Sequence, residues 1–282
     1  MNKLSTAKKV AVISALVEGC SVRSTSRLTG VAKGTILSLL ASVGDACARY
    51  QDAVIRNVPA RRVQIDEIWS FVGCKQKNVT PEISAQRVAG DTWTFVAIEA
   101  QTKLVLSWLV ARRDAGSATE FLQDVAERIA TRIQLTTDGH KMYLSAVEDA
   151  FAGDIDYSML VKVYGAASDG QTRYSPAKCL GCIPQPVCGD PDPKHVSTSY
   201  IERQNLTMRM NMRRFTRLTN AFSKKIENHM HSVALFYMHY NFARVHQTLR
   251  VTPAMEAGIA QHVWSIQEIV ALTEPASTVK AA

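Results

Sequence analysis

Val63-Gln64-Ile65-Asp66-Glu67-Ile68-Trp69-Ser70-Phe71-Val72 is the stretch on which the reading of this chain turns. Its β-branched and aromatic residues predict a strand, yet it carries Asp66 in the middle, where a carboxylate gains nothing from packing. Two more β-rich stretches follow at residues 92–100 and 103–111, joined by a tight hairpin-like Gln101-Thr102. Then the period changes. Phe121, Leu122, Val125 and Ile129 fall at helical spacing within residues 117–132, and Ser117 with Glu120 makes a candidate capping box. A strand at 133–137, a helix near 142–151 and a strand at 158–164 complete the order βββαβαβ. Three sequential strands followed by alternating helices and strands predict an α/β fold, a mixed sheet with helices on both faces.

Working outward, residues 1–48 read as a small all-α module. Val10, Ile13 and Val17 lie at helical spacing before Gly19, Ser21 can cap a second helix, and Thr29-Gly30-Val31 supplies a turn before a third, in which Ile36, Leu39 and Leu40 share a side. Three short helices with a glycine turn before the last read as a helix-turn-helix. Its recognition helix would present Lys33, Thr35 and Ser38 to base edges in a major groove; a plain three-helix cap is the alternative. Residues 49–60 are expected to be a linker, and residues 61–250 the main domain. Within it, 165–196 is an irregular insertion rich in Gly, Pro, Ser and Cys. Residues 198–215 and 223–242 read as helices, and 251–282 as a helical tail.

The chain has 282 residues, 46% of them hydrophobic, which excludes a mostly disordered protein and suits one main core with an appended module. No apolar run approaches the roughly 18–20 residues of a membrane span, and residues 1–9 lead into no signal-peptide core. A soluble cytoplasmic protein with no membrane partner, associated with the nucleoid when bound to DNA, is the expectation. The six cysteines are scattered, as free thiols would be. The net charge of +8 is unevenly placed: residues 1–60 and 166–282 each carry +5, and residues 61–165 carry −2. Between Arg203 and Lys225 there are seven basic residues and no acidic one. That density suits a polyanion whose counterions are released on binding, although a solvated helix face also accounts for such a run.

Two more acids join Asp66. Asp138 ends a strand and precedes Gly139, at the sheet edge where open α/β folds place ligands. Glu202 lies in the first turns of the helix that opens the basic run. If the first and fourth strands are neighbours, Asp66 and Asp138 face one crevice, and a packed helix can deliver Glu202. Carboxylates gathered so closely repel and require cations. Mg²⁺, a hard ion with oxygen ligands, fits, and two such ions stabilise the attacking and leaving oxygens of a phosphoryl displacement. Singly, each acid also reads as a salt-bridge, turn or helix-surface residue.

The segments Asp66-Glu67-Ile68-Trp69-Ser70-Phe71-Val72-Gly73, Thr137-Asp138-Gly139 and Tyr200-Ile201-Glu202-Arg203-Gln204-Asn205 resemble the DDE transposases of bacterial insertion sequences, most closely the insertion sequence one family. Residues 213–225 and 240–249 are similar to that family's basic segment and tail, and the resemblance covers about residues 61–258. It implies a ribonuclease-H-like fold in which Asp66, Asp138 and Glu202 are catalytic and bind two Mg²⁺ ions, with Mn²⁺ as an alternative. It also implies a basic residue seven positions after the glutamate, here Arg209. The implied activity is DNA transposition: binding of terminal inverted repeats, cleavage, and joining of 3′-hydroxyls to target DNA within a homodimer or higher synaptic assembly. Alternatives are a ribonuclease-H-like nuclease without strand transfer and a DNA-binding regulator whose catalytic domain has decayed.

DNA contacts are expected from Arg203, Asn205, Arg209, Arg213, Arg214, Arg217, Lys224 and Lys225, together with Lys33, Thr35 and Ser38. Arg203 and Asn205 read equally as braces for the acids. The 63 residues between Asp138 and Glu202 exceed a compact member's interval, and the 165–196 insertion supplies the excess. Residues 1–48 lack the paired cysteines of the zinc finger with which some members begin. Cys179 and Cys182, with Cys188 and His195, offer ligands for a small zinc site, at spacings that match no standard module. Trp69, Trp93 and Trp108 read as core.

Overall fold

The computed structural model describes residues 4–165, 179–216 and 219–274. Three helices open the chain: α1 (Thr6–Val17), α2 (Val22–Thr29) and α3 (Lys33–Val54). Ser5 and Ser21 cap the first two with their hydroxyls, and Gly30 in the left-handed region turns the chain between α2 and α3. The third helix is longer than its N-terminal apolar pattern suggests. It runs through the first half of the 49–60 stretch expected as linker, because Val43, Cys47 and Gln51 continue its buried stripe.

Then come β1 (Arg62–Val72), a short α4 (Pro81–Gln86), β2 (Gly90–Glu99), β3 (Val105–Ala111), α5 (Ala115–Arg128), β4 (Gln134–Asp138), α6 (Met142–Phe151) and β5 (Asp156–Tyr164). A sixth strand, β6 (Cys179–Cys188), follows, and α7 (Ser199–Asn211), α8 (Ile226–Met238), α9 (Pro253–Glu256) and α10 (Ile266–Ala271) complete the order. The sheet order is β3-β2-β1-β4-β5-β6. β1 pairs antiparallel with β2 and parallel with β4, β4 is parallel to β5, and β6 is antiparallel to β5. This is the mixed α/β sheet with helices on both faces that the strand order predicts, preceded by a helical N-terminal segment.

Alternation along the strands divides the core. Ile65, Phe95, Ala97 and Leu135 pack against Phe121 and Leu122 of α5 and Tyr143 and Val147 of α6. Ile68, Val96, Ile98 and Val105, on the other face, pack against Ile201 and Met208 of α7 and Val233 and Tyr237 of α8. The N-terminal helices are built into this framework. Ile13, Val17, Leu40 and Cys47 share one cluster with Ala234, Leu235 and Met238 of α8 and with Ile269 of α10. Where α3 crosses α8, Gly44 permits the approach: a Cβ there would lie 2.5 Å from the backbone oxygen of His231.

Local expectations are corrected in three places, and a fourth stretch holds elements with no sequence expectation. The N-terminus of α5 is capped by Asp114, whose carboxylate accepts from the Ser117 amide (2.9 Å), so Ser117 is a capped residue and not the cap. The 165–196 insertion contains β6, an edge strand whose residues are nearly all exposed, so no buried alternation marked it. Pro184 and Pro186 suit an edge, where the missing N–H costs no ladder bond to a further strand. The helix expected over 198–215 ends at Asn211 and gives way to a 3₁₀ turn, Arg213–Phe215. Residues 73–91, between the first two strands, hold a 3₁₀ turn at Gln76–Asn78 and α4, capped by Thr80. Among the described residues no single helix is long and apolar enough to cross a membrane.

Candidate metal centre

Strand pairing creates the site. The β1–β4 ladder runs from Arg62 opposite Gln134 to Gln64 opposite Thr136. Carried two residues further, it would set Asp66 opposite Asp138, but β4 ends there while β1 continues to Val72 with β2. The strands part at these two carboxylates. Gly139 lets the chain leave close over β5, since a Cβ would meet Val161 Cγ2 at 3.0 Å. The Asp138 carboxylate then accepts from the His140 amide (3.1 Å).

Asp66 and Asp138 do converge, and Glu67 joins them: one oxygen from each of the three lies within 4.8 Å of the others. This is the one group of three or more metal-ligating side chains among the described residues. Different neighbours hold each acid. Asp66 Oδ2 accepts from Asn205 Nδ2 (2.9 Å) on α7, and Asp66 Oδ1 from the Glu67 amide (2.9 Å). The Glu67 side chain is 1% exposed; it accepts from Tyr143 Oη (2.6 Å) on α6 and pairs with Arg113 (3.3 Å), which also reaches Asp138 (3.6 Å). The Arg113 guanidinium lies over the Trp93 ring, 4.7 Å from its centroid.

The charge balance within the cluster is unfavourable. Burial, then the neighbouring Glu67 and Asp138 charges, push the Asp66 carboxyl up to about 7. Burial likewise raises Glu67 above the usual carboxylate range, with Tyr143 and Arg113 opposing. Crowded carboxylates with raised proton affinity are the electrostatic signature of a site completed by a cation. The donor set fits a hard divalent ion: three carboxylates, with the Asn205 Oδ1 atom buried beside Asp66 and lacking a hydrogen-bond partner.

Glu202 stands outside this cluster. It lies in the first turn of α7, one turn before Asn205, but its Oε1 is 2.6 Å from Lys162 Nζ on β5 and accepts from Thr198 Oγ1 (2.5 Å). Burial opposes ionisation, yet Lys162 and Thr198 together hold the Glu202 carboxyl below its ordinary range. The Lys162 charge also lowers the Asp66 carboxyl, so one ammonium acts on both the third acid and the cluster. Lys162, Glu67 and Arg113 were not singled out from the sequence. Glu67 carried a legible signal, a second acid beside Asp66 in an apolar strand; a lysine on β5 and an arginine after β3 carried none.

The residues expected at DNA divide by exposure. Lys33, Thr35 and Ser38 are exposed on the first turns of α3, as are Arg203, Arg213, Lys224 and Lys225 in the later segment. Asn205 is 8% exposed and turned toward Asp66. Arg209 is half-buried on α7, two turns after Glu202. Arg214 is turned inward, donating to Ser223 Oγ (2.9 Å). Arg217 lies outside the described residues. The cysteines form no metal-ligating group with His195. Cys179 and Cys188 sit at opposite ends of the ten-residue strand β6, about 30 Å apart by strand rise, and His195 Nδ1 is engaged by Arg62 (2.7 Å).

No family model matches the chain, and no curated protein matches it. Among solved structures it is similar to the simian T-cell lymphotropic virus intasome in complex with PP2A regulatory subunit B56 gamma, at 14% identity and a TM-score of 0.39, over 90% of this chain and 74% of that one. It is similar to the piggyBac transposase synaptic complex with hairpin DNA at 9% identity and a TM-score of 0.40, over 95% and 69%. For the Mos1 transposase paired-end complex with the left transposon end the figures are 12%, 0.23, 54% and 57%.

Proposed function

We propose that this chain is a metal-dependent polynucleotidyl transferase acting on DNA, a DDE transposase that cuts at the ends of its element and joins the 3′-hydroxyls to target DNA. The observation that carries this reading is the convergence of Asp66, Glu67 and Asp138 where β1 and β4 part, beside a helix that brings Asn205 to Asp66 and continues into a basic segment. Asp66, Asp138 and Glu202, with Glu67 beside them, are the residues that would hold Mg²⁺. Bound there, such ions supply Lewis-acid stabilisation of the attacking and leaving oxygens of a phosphodiester.

The chain's own residues do the positioning. Asn205 fixes the Asp66 carboxylate by one hydrogen bond, and Arg113 ties Glu67 to Asp138, so these three acids are set before substrate arrives, while Glu202 would have to leave Lys162 to join them. Exposed Arg203, Arg213 and Lys225 supply sequence-independent phosphate contacts, and the first turns of α3 offer Lys33, Thr35 and Ser38 for reading the ends. Water is the nucleophile in cleavage and a DNA 3′-hydroxyl in joining; one set of acids serves both because the displaced and attacking oxygens exchange roles. Two ends processed together call for at least a dimer.

The test is a strand-transfer assay with the full chain, a pre-cleaved end duplex, target plasmid and Mg²⁺. Joined products are expected, and Asp66→Asn and Asp138→Asn should bind the duplex yet neither cut nor join. Nicking without joining would assign a simple nuclease. Binding with no cleavage by the unaltered chain would assign a regulator.

A further inference from the structure

A cleft lies away from the acids, between the N-terminal helices and residues 212–214 and 219–224. It encloses about 660 Å³, within the range of about 300–1,000 Å³ in which proteins enclose discrete ligands. Among the described residues its lining holds five cationic side chains, Arg23 of α2, Lys33 of α3, Arg213, Arg214 and Lys224, and no carboxylate. Its floor is apolar, formed by Leu40, Leu235 and Phe236 among others.

Like charges are brought together here without an internal counter-ion. Lys224 is held below its ordinary basicity, first by burial and then by the charges of Arg23 and Arg87. Burial likewise pushes Arg214 down to about 10; its guanidinium donates to a neutral serine, and among the described residues it has no carboxylate partner. Such an arrangement costs stability unless an anion completes it. Aromatic rings lead away from the cationic rim. Lys224 Nζ lies 3.0 Å from the centroid of Phe222, which is 4.6 Å from Phe71, which is 5.9 Å from Trp69. Phe71 and Trp69 belong to β1, the strand that carries Asp66.

We propose that this cleft holds an unpaired stretch of a DNA strand, its phosphates on Arg23 and Lys224 and its bases against Phe222 and the apolar floor. The inference rests on the DNA-acting reading above and gives that reading a second, metal-independent site. Cations that track a backbone beside aromatic faces are the combination that holds single strands. An intact duplex keeps its base faces stacked inside, so it has none to offer Phe222 or the apolar floor and gains little at this cleft. The cleft thereby couples the N-terminal helices to the strand bearing the acids.

The test is fluorescence anisotropy of the full chain in EDTA with a labelled oligo-dT and with a duplex of the same length. Arg23 and Lys224 are exposed, so Arg23→Gln/Lys224→Gln should fold, checked by its melting temperature. The double variant is expected to lose tenfold or more in oligo-dT affinity and less than threefold for the duplex. Its slope of log affinity against log salt should fall by about 1.4, two phosphates at about 0.7 each. Equal losses for both DNAs, or no loss, would overturn the proposal. Because no metal is present, failure here leaves the strand-transfer test intact. Conversely, an inactive acid cluster with normal oligo-dT binding would overturn only the catalytic reading.

Discussion

Lys162 Nζ lies 2.6 Å from Glu202 Oε1, so the acid that the sequence motif assigns to the metal site is held by a cation from the neighbouring strand. Both side chains are partly exposed, at 29% and 43%, so the pair is screened, and a unit charge at about 4 Å opposes a divalent ion by roughly 2 kcal/mol. Lys162→Met should therefore raise Mn²⁺ affinity by about thirtyfold, read by electron paramagnetic resonance of free Mn²⁺. Unchanged affinity would mean that the ammonium does not compete for the site.

Asp66 is buried against two other acids, and its charge is a liability when no cation is present. Asp66→Asn removes one of the three repelling charges. In EDTA at neutral pH its melting temperature should exceed that of the unaltered chain by several degrees. With Mg²⁺ the order should reverse, because only the unaltered chain gains from the ion. A variant that melts lower in EDTA would place the stabilising role of Asp66 elsewhere.

Asn205→Leu keeps the bulk of the side chain and removes the amide that donates to Asp66. Partners that orient metal ligands typically contribute about 10–100-fold to affinity or activity. A loss of that size in cleavage is expected, with duplex binding retained. If binding were lost and cleavage of bound DNA were normal, Asn205 would be a DNA contact instead.

At Gly44 a Cβ would overlap the His231 backbone of α8. Gly44→Ala should cost about 1–3 kcal/mol in urea unfolding despite its better helix propensity. A single cooperative transition in that experiment would also show the N-terminal helices unfolding with the sheet.

His229 is fully buried between two serines, with Nε2 3.2 Å from Ser70 Oγ and Nδ1 2.9 Å from Ser223 Oγ. Burial, with Arg214 adding to it, pushes the imidazole down to about 3, so the folded chain keeps it neutral while the unfolded chain protonates it near 6.5. Its contribution to stability is thus complete above about pH 6.5 and is lost as pH falls toward 3, at no more than about 1.4 kcal/mol per unit. His229→Gln should flatten that part of the stability profile. An unaltered slope would assign the acid sensitivity to other groups.

Periodicity and turn chemistry made most elements legible: Ser21 capping α2, Gly30 after it, the alternation in β1 and the helical stripe of α5 are local signals, and each lies where the pattern placed it. Asp66 was legible because a carboxylate within an apolar strand needs a reason, and Asp138 because it ends one. β6 was not legible, since an exposed edge strand with two prolines buries no alternate face. What only the tertiary structure decided is who meets whom. Parallel pairing of β1 with β4 brings Asp66 to Asp138, and α7 sets Asn205 on Asp66 from 139 residues away. The same packing hands Glu202 to Lys162 and draws Glu67 into the cluster. A sequence pattern reports which face each residue turns to the core. Charges compete through space, where the nearest unlike partner prevails whatever its distance along the chain.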